Sequence, residues 1–396
     1  MLDESLLDAP EALAQADRHG LLRGAAEAGA RVRTAVRHSV EAGLTDLKPD
    51  GRPRSILIAG PGAAASCVAD LLGTLAGAVC PVVRLAPTGV APAAGALRWA
   101  LPGWAGPVDL LLIATPDGTE PGLTLLAEQA YRRGCTVVAV APARSPLAGE
   151  VNGSHGLTIP MALSPHGPLG ADETPGSVGG GAPSEDTVSA AAAPATLWAL
   201  ATPLLVLLDR TGLISAPVDT LQKVADRLDH VAERCGPVIA TYSNPAKTLA
   251  AELADTLPLI WTEGPAAGPV GRRFAATLAE LAGRPALAAE LPEALPAHAA
   301  LLAGELAGDT GEDDFFRDRV EEPQSLRARV VLLRDTPVDA GGLTAAPAAR
   351  ELAHGHDVPL SELEPEDGGE LETLAELIAI TDFAAVYLTL APGDRS

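Results

Sequence analysis

From residue 55 onward, short continuous apolar runs alternate with Ala-rich stretches of helical periodicity. Residues 55–59, 81–85, 108–114 and 136–141 carry almost no polar side chain, the pattern of strands buried on both faces. Residues 64–78 and 123–133 read as helices between them. Such alternation predicts a parallel, doubly wound sheet. The second half repeats the theme, with predicted strands at 238–242, 258–261, 286–291 and 328–333. Its predicted helices cover 244–254, 268–281, 297–306 and 370–388. Two similar α/β halves suggest a duplication, and their shared interface is a natural place for a ligand. Residues 1–45 read as two helices, the second an Ala-rich repeat over 21–42. The segment 218–234 places Leu221, Val224, Leu228 and Val231 on one helical stripe.

Composition divides the chain further. Residues 165–190 are dominated by Gly, Pro, Ser and acids, too polar to bury a core of their own, and are expected to form a mobile loop. The expected organisation is N-terminal helices over 1–50, a first α/β domain over 51–164 and the loop. Helices over 191–234 and a second α/β domain over 235–396 follow. The run 190–208 is long enough to consider as a membrane span, but Pro194 and Pro203 interrupt it and Asp209-Arg210 closes it. A buried helix is the expectation, and with no basic, apolar leader after Met1 so is a cytoplasmic protein.

Charge narrows the function classes. The 396 residues carry a net charge of -23, and the only lysines are Lys48, Lys223 and Lys247. That balance excludes nucleic-acid binding through phosphate contacts. It also repels an anionic sugar phosphate at long range, so a phosphate would need local backbone NH groups or an arginine. Cys67, Cys80, Cys135 and Cys235 lack C-x-x-C spacing and read as reduced, buried thiols. His354-Gly-His356 lacks a third ligand and reads as a loop, not a metal site. The runs 312–314 and 362–366 read as solvated acidic turns. No G-x-G-x-x-G or P-loop pattern is present, so neither metal nor nucleotide cofactor is expected.

Three segments carry candidate chemistry. Gly60-Pro-Gly-Ala-Ala-Ala-Ser66 follows a predicted strand and opens a helix, where backbone NH groups can hold an anion. Ala114-Thr-Pro-Asp-Gly-Thr-Glu120 follows another strand. There Thr115 and Thr119 offer hydroxyls, while Pro116 supplies no NH and Asp117 adds a repulsive charge. The stretch 274–298 places Glu280 on an apolar helical run and His298 after a Glu290-Leu-Pro-Glu293 turn.

The last stretch resembles the second sugar-isomerase (SIS) domain of the bacterial and archaeal bifunctional phosphoglucose/phosphomannose isomerases. There a Glu near a helix end and an E-L-P-E-L-N-H run bring acid and imidazole to one sugar. Asn244-Pro-Ala-Lys-Thr-Leu-Ala250, the run Ala193-Pro-Ala-Thr-Leu-Trp-Ala-Leu-Ala-Thr-Pro-Leu-Leu205 and the helix over 374–390 resemble other pieces of the same family. The resemblance implies two tandem SIS domains and a homodimer, since the family's His comes from the neighbouring subunit. It further implies isomerisation of glucose 6-phosphate or mannose 6-phosphate to fructose 6-phosphate. In that reaction His298 opens the ring and Glu280 moves a proton between C1 and C2 through a cis-enediol. Gly60, Gly62, Ser66, Thr115 and Thr119 would line the substrate site. The chain departs from the family where its phosphate-loop serines fall on Ala114 and Pro116 and its enediolate-stabilising Arg on Ala195. The family's C-terminal Lys has no counterpart except Arg395. These departures admit a second expectation, a catalytically lapsed SIS protein that binds a carbohydrate derivative or regulates a mannose-phosphate pathway partner.

Overall fold

The computed structural model describes residues 2–49, 51–91, 93–161, 193–194, 196–304, 306, 327–335 and 344–392. The expected loop at 165–190, the acidic run 312–314, Ala195 and Arg395 lie outside the described residues. The chain divides into two compact units, Asp17–Glu233, and Met1–Ala16 together with Arg234–Ser396.

In the first unit, five parallel strands are ordered β2-β1-β3-β4-β5: β1 (Ser55–Ala59), β2 (Val82–Leu85), β3 (Asp109–Ala114), β4 (Thr136–Ala141) and β5 (Leu157–Pro160). Every residue of β1 and β3 is buried, which is why both read as unbroken apolar runs. Among the connecting helices, α5 (Gly62–Ala76) follows β1, α6 (Pro121–Arg132) follows β3 and α7 (Pro146–Gly153) follows β4. The order reverses at β1 and β3, so the crevice outside their carboxyl ends is the topological switch point, where open α/β sheets hold ligands.

The amino-terminal region forms four helices rather than two: α1 (Glu4–Leu7), α2 (Pro10–Ala16), α3 (Leu21–Ala26) and α4 (Ala28–Glu41). Asp17 caps α3 by accepting from the NH groups of Leu21 and Leu22, and Glu27 separates α3 from α4. Helices α1 and α2 belong to the second unit, while α3, α4, α8 (Thr196–Arg210) and α9 (Val218–Arg234) belong to the first, α9 burying its predicted stripe. Gly29 of α4 lies against α9, where an added Cβ would stand 2.6 Å from the Ala225 carbonyl oxygen and 2.1 Å from Asp229 Oδ1. Arg33, one turn on, bonds Asp226 and Asp229 at 2.7 Å each. Gly29→Ala is therefore expected to destabilise the protein by about 1–3 kcal/mol, because the Ala225 backbone cannot yield cheaply. A urea melt would measure it, and an unchanged midpoint would contradict the packing argument.

The second unit repeats the topology, with four parallel strands in the order β7-β6-β8-β9: β6 (Thr256–Glu263), β7 (Leu287–Glu290), β8 (Arg327–Arg334) and β9 (Leu360–Leu363). This matches β2-β1-β3-β4 of the first unit, as a duplication requires. Around it lie α10 (Pro245–Leu253), α11 (Ala267–Ala282), α12 (Ala294–Ala303), α13 (Ala346–Gly355) and α14 (Glu370–Leu390). Helix α14 is long and apolar enough to cross a membrane, but 94% of its most apolar window is buried in the protein.

Three expectations need correction here. Residues 238–242 form no strand: the Pro237 and Ile239 carbonyls accept from Lys247 Nζ at 2.8 and 2.7 Å instead of from a neighbouring strand. Val238 and Tyr242 are left 75% and 89% exposed. Lys247, fully buried beside the Tyr387 ring, was legible in the sequence only as part of the Asn-Pro-Ala-Lys run. The 362–366 run is not simply a solvated turn, because Glu362 and Glu364 pair with the buried Arg334, and Glu362 also with Arg350. His354 ends helix α13 rather than lying in a loop.

Candidate functional site

At the first switch point, β1 leads through Gly60-Pro-Gly62 into α5. Gly60 is required by close approach, since a Cβ there would stand 2.0 Å from the Ala114 carbonyl oxygen of β3. Gly62 has φ +75°, the left-handed region that favours glycine. Ser66 donates back to the Gly62 carbonyl at 2.9 Å, so its hydroxyl proton serves its own helix.

The loop after β3 is folded around Thr115, which is fully buried. Its Oγ1 accepts the NH groups of Gly118 (3.0 Å) and Asp117 (3.3 Å) and donates to the Glu120 carboxylate at 3.1 Å. Thr115 is thereby an organiser of the loop, not a free ligand for substrate, and it also engages two backbone donors an anion would need. Glu120 itself is 3% exposed, at the amino end of α6. Burial pushes its carboxyl above the ordinary range, with the Asp117 charge adding to the rise. The NH groups of Glu120 and Thr119 and the Thr115 hydroxyl pull it down. Desolvation likewise raises Asp117 at the exposed tip. Thr119 is exposed and is the residue of this loop with a hydroxyl facing water.

An acid whose folded value is raised contributes stability below its unfolded pKa and loses it as pH rises through the folded value. Glu120→Gln, which can keep a hydrogen bond to Thr115, is thus expected to stabilise the protein at pH 7 by on the order of 1 kcal/mol. Thermal melts should show the gain vanishing near pH 4. A loss at pH 7 would mean the charge is needed.

In the second unit, α11 leaves the carboxyl end of β6 and runs back along the sheet. Glu280, near its last turn, therefore lies toward the amino edge of that sheet, away from the unit's own switch point. The residue is exposed, yet neighbouring protein desolvates the carboxyl enough to push it above its ordinary value, with Arg273 pulling it partly back. Arg273 lies two turns earlier on the same helical stripe and pairs with Asp382 of α14 at 2.8 Å, both side chains buried.

His298 is not beside Glu280. Strand alternation puts Leu259 and Trp261 on the face packed with Ala294 and Leu302 of α12 and Ala346 and Ala349 of α13. Ile260 and Thr262 face α11, where a Cβ on Gly271 would meet both. The acid and the imidazole thus belong to opposite faces of one sheet. His298 is 6% exposed, and its Nδ1 accepts the Trp261 indole NH at 2.6 Å. A neutral ring accepting at Nδ1 carries its proton on Nε2, and burial lowers its pKa. In this chain His298 is a core residue whose Nδ1 lone pair is taken by Trp261 and which solvent hardly reaches. Trp261 supplied no sequence signal, because a Trp in a buried strand reads only as core.

Arg54 pairs with Asp109, Arg272 with Glu290 and Arg273 with Asp382. At the second switch point Asp335 follows β8 and accepts the NH groups of Ala266 (2.6 Å) and Ala267 (3.2 Å) at the start of α11. Gly264, with φ +101°, leaves room for that carboxylate. Among the described residues no cluster of three metal-ligating side chains occurs.

Two parallel sheets of matching order define a tandem α/β fold. Residues 242–393 match the family model of the bacterial phospho-glucose isomerase C-terminal SIS domain. That carboxyl-terminal part of the chain is therefore similar to a phosphoglucose isomerase-type SIS domain. The fold of the chain is similar to that of a candidate phosphosugar isomerase from Silicibacter pomeroyi DSS-3 (TM-score 0.53, 16% identity, covering 96% of this chain and 95% of that one). The C-terminal domain of glucosamine-fructose-6-phosphate aminotransferase from Francisella tularensis is similar at TM-score 0.54 and 12% identity, covering 94% of this chain and 95% of that one. Tagatose-6-phosphate ketose/aldose isomerase from Escherichia coli gives 0.50 and 13%, covering 94% and 92%. No curated protein matches the sequence.

Proposed function

We propose that this chain is a carbohydrate-binding SIS protein in which aldose-ketose isomerisation has lapsed. The observation that carries the reading is His298, buried with its Nδ1 bound to Trp261. Ring opening needs an imidazole that reaches the sugar, whether from the same chain or a partner, and a core histidine reaches neither. The Thr115 loop supports the same reading, since its hydroxyl and two of its NH groups bond within the loop. The ligand site is the crevice at the first switch point, between the Gly60 turn and the Thr115–Glu120 loop, with Thr119 at its edge.

A second reading, an isomerase working through Glu280 alone, is favoured by one observation: an exposed carboxyl pushed toward the range of a general base. Thermal shift against fructose 6-phosphate, glucose 6-phosphate and the corresponding free sugars tests the binding claim. A ligand at a hundred times its dissociation constant should stabilise by about 2.7 kcal/mol. Stabilisation by none of them would overturn the proposal.

A further inference from the structure

We infer that residues 2–16 are a strap whose seating orders the exposed turn 236–243 of the second unit, so that strap and turn open and close as one element. Asp8 and Thr241, the residues that join them, stand 233 positions apart in the sequence.

The turn is pinned from two sides. From within the unit, Lys247 Nζ donates to the Pro237 and Ile239 carbonyls at 2.8 and 2.7 Å, Asn244 Nδ2 to that of Gly236 at 3.1 Å and Thr248 Oγ1 to that of Thr241 at 2.8 Å. From the strap, the Asp8 carboxylate accepts the Thr241 NH at 2.8 Å and the Thr241 hydroxyl at 2.9 Å. Asp8 has a second task. Lys247 is fully buried, and the Asp8 charge offsets the burial of its ammonium. A buried cation that loses its anion is destabilised, so unseating the strap also weakens the amine that holds the turn's other carbonyls.

The strap itself is lightly held. Its helices α1 and α2 have four and seven residues, too short to keep their shape in water, so their order depends on docking. Each helix buries a single side chain, Leu7 in α1 and Leu13 in α2. At the far end, the Asp3 NH donates to the Ala391 carbonyl at 3.2 Å and Leu2 bridges to Pro392, just past α14. A terminal segment with so few anchors opens at a free energy below that of global unfolding. The turn has little to hold it in place when that happens, because Val238 and Tyr242 are largely exposed and add no packing of their own.

Native-state hydrogen exchange on the full-length protein tests the coupling. It is read at the Ile239 and Ser243 amides, which bond within the turn and not to the strap. In the parent they should exchange through the same opening as the α2 amides, in denaturant too dilute to expose β6. Asp8→Ala should speed both by about tenfold, the scale of losing a hydrogen bond to a charged group, with β6 unchanged. Asp8→Asn keeps an acceptor without the charge and should fall between. Removing residues 2–16 should match or exceed Asp8→Ala, and a peptide of residues 1–16 should restore the slow rate. Turn amides that keep the parental rate in Asp8→Ala would overturn the inference. So would turn amides that open in the parent together with β6 and not with α2. Both of these outcomes are read without the truncated protein, so its failure to fold would not shield the inference.

Discussion

Replacing Asp382 by alanine is expected to destabilise the second unit by about 3–5 kcal/mol, the scale of leaving a buried charge without its partner. Arg273 and Asp382 are both nearly inaccessible to water and meet at 2.8 Å between α11 and α14. Asp382→Asn should lose less, because the amide oxygen can still accept from the guanidinium. Replacing both residues by apolar ones should cost less than the single alanine, since no charge is then stranded. The variant also removes the anion that offsets Arg273, so the Glu280 carboxyl should titrate lower than in the parent. Carbon-13 NMR of labelled glutamate would follow it. Denaturant melts of the three variants check the stability ranking, and a single alanine within 1 kcal/mol of the parent would contradict the burial of this pair.

The second large effect depends on pH. His298 has a folded pKa pushed below the ordinary 6.5 by burial, with no acid offsetting it. A base whose folded value is depressed contributes stability that is present above its unfolded pKa and lost as pH falls through the folded one. Protonation would also turn Nδ1 into a donor facing the Trp261 NH, breaking the bond at the centre of the α12 packing. Charged groups near that face are already matched: Glu263 and Glu364 with Arg334, and Glu362 with Arg350. The depressed carboxylates Asp109 and Glu263 lose their contributions only below their ordinary values of 3.8 and 4.5. Stability between pH 6.5 and 5 should therefore fall by more in the parent than in His298→Gln. Trp fluorescence during melts at each pH reads it, and parallel profiles would place the sensitive group elsewhere.

Much of the fold was legible because its strands are buried on both faces. Residues 55–59, 108–114 and 136–141 needed only their apolar continuity to be placed, and the repeated pattern of the second half announced its parallel sheet. The segment 238–242 misled for the same reason. Its nearly continuous apolar run fits a strand, and the buried Lys247 amine, a contact across eight to ten residues, turns its carbonyls away. β9 was missed because Leu360-Ser-Glu-Leu363 reads as acidic turn until Arg334 and Arg350 are brought to it.

The site was legible as positions and not as states. Gly60, Gly62, Thr115 and Glu280 fall in turns and helices where they were expected. Whether a hydroxyl is available or an imidazole accessible depends on partners far along the chain. Thr115 is committed to Glu120 five residues on, and His298 to Trp261 thirty-seven residues back. A one-dimensional pattern shows that a histidine is present after a turn, but not that a tryptophan from the facing strand has taken its lone pair.

Binding without proton transfer is the central claim, and solvent exchange tests it most directly. The protein is incubated in deuterium oxide with fructose 6-phosphate and, separately, with fructose, and proton NMR follows loss of the C1 proton signal. The account predicts no exchange above the protein-free rate with either sugar, while titration still detects a bound carbohydrate. Exchange that disappears in Glu280→Gln would contradict it and establish a working isomerase.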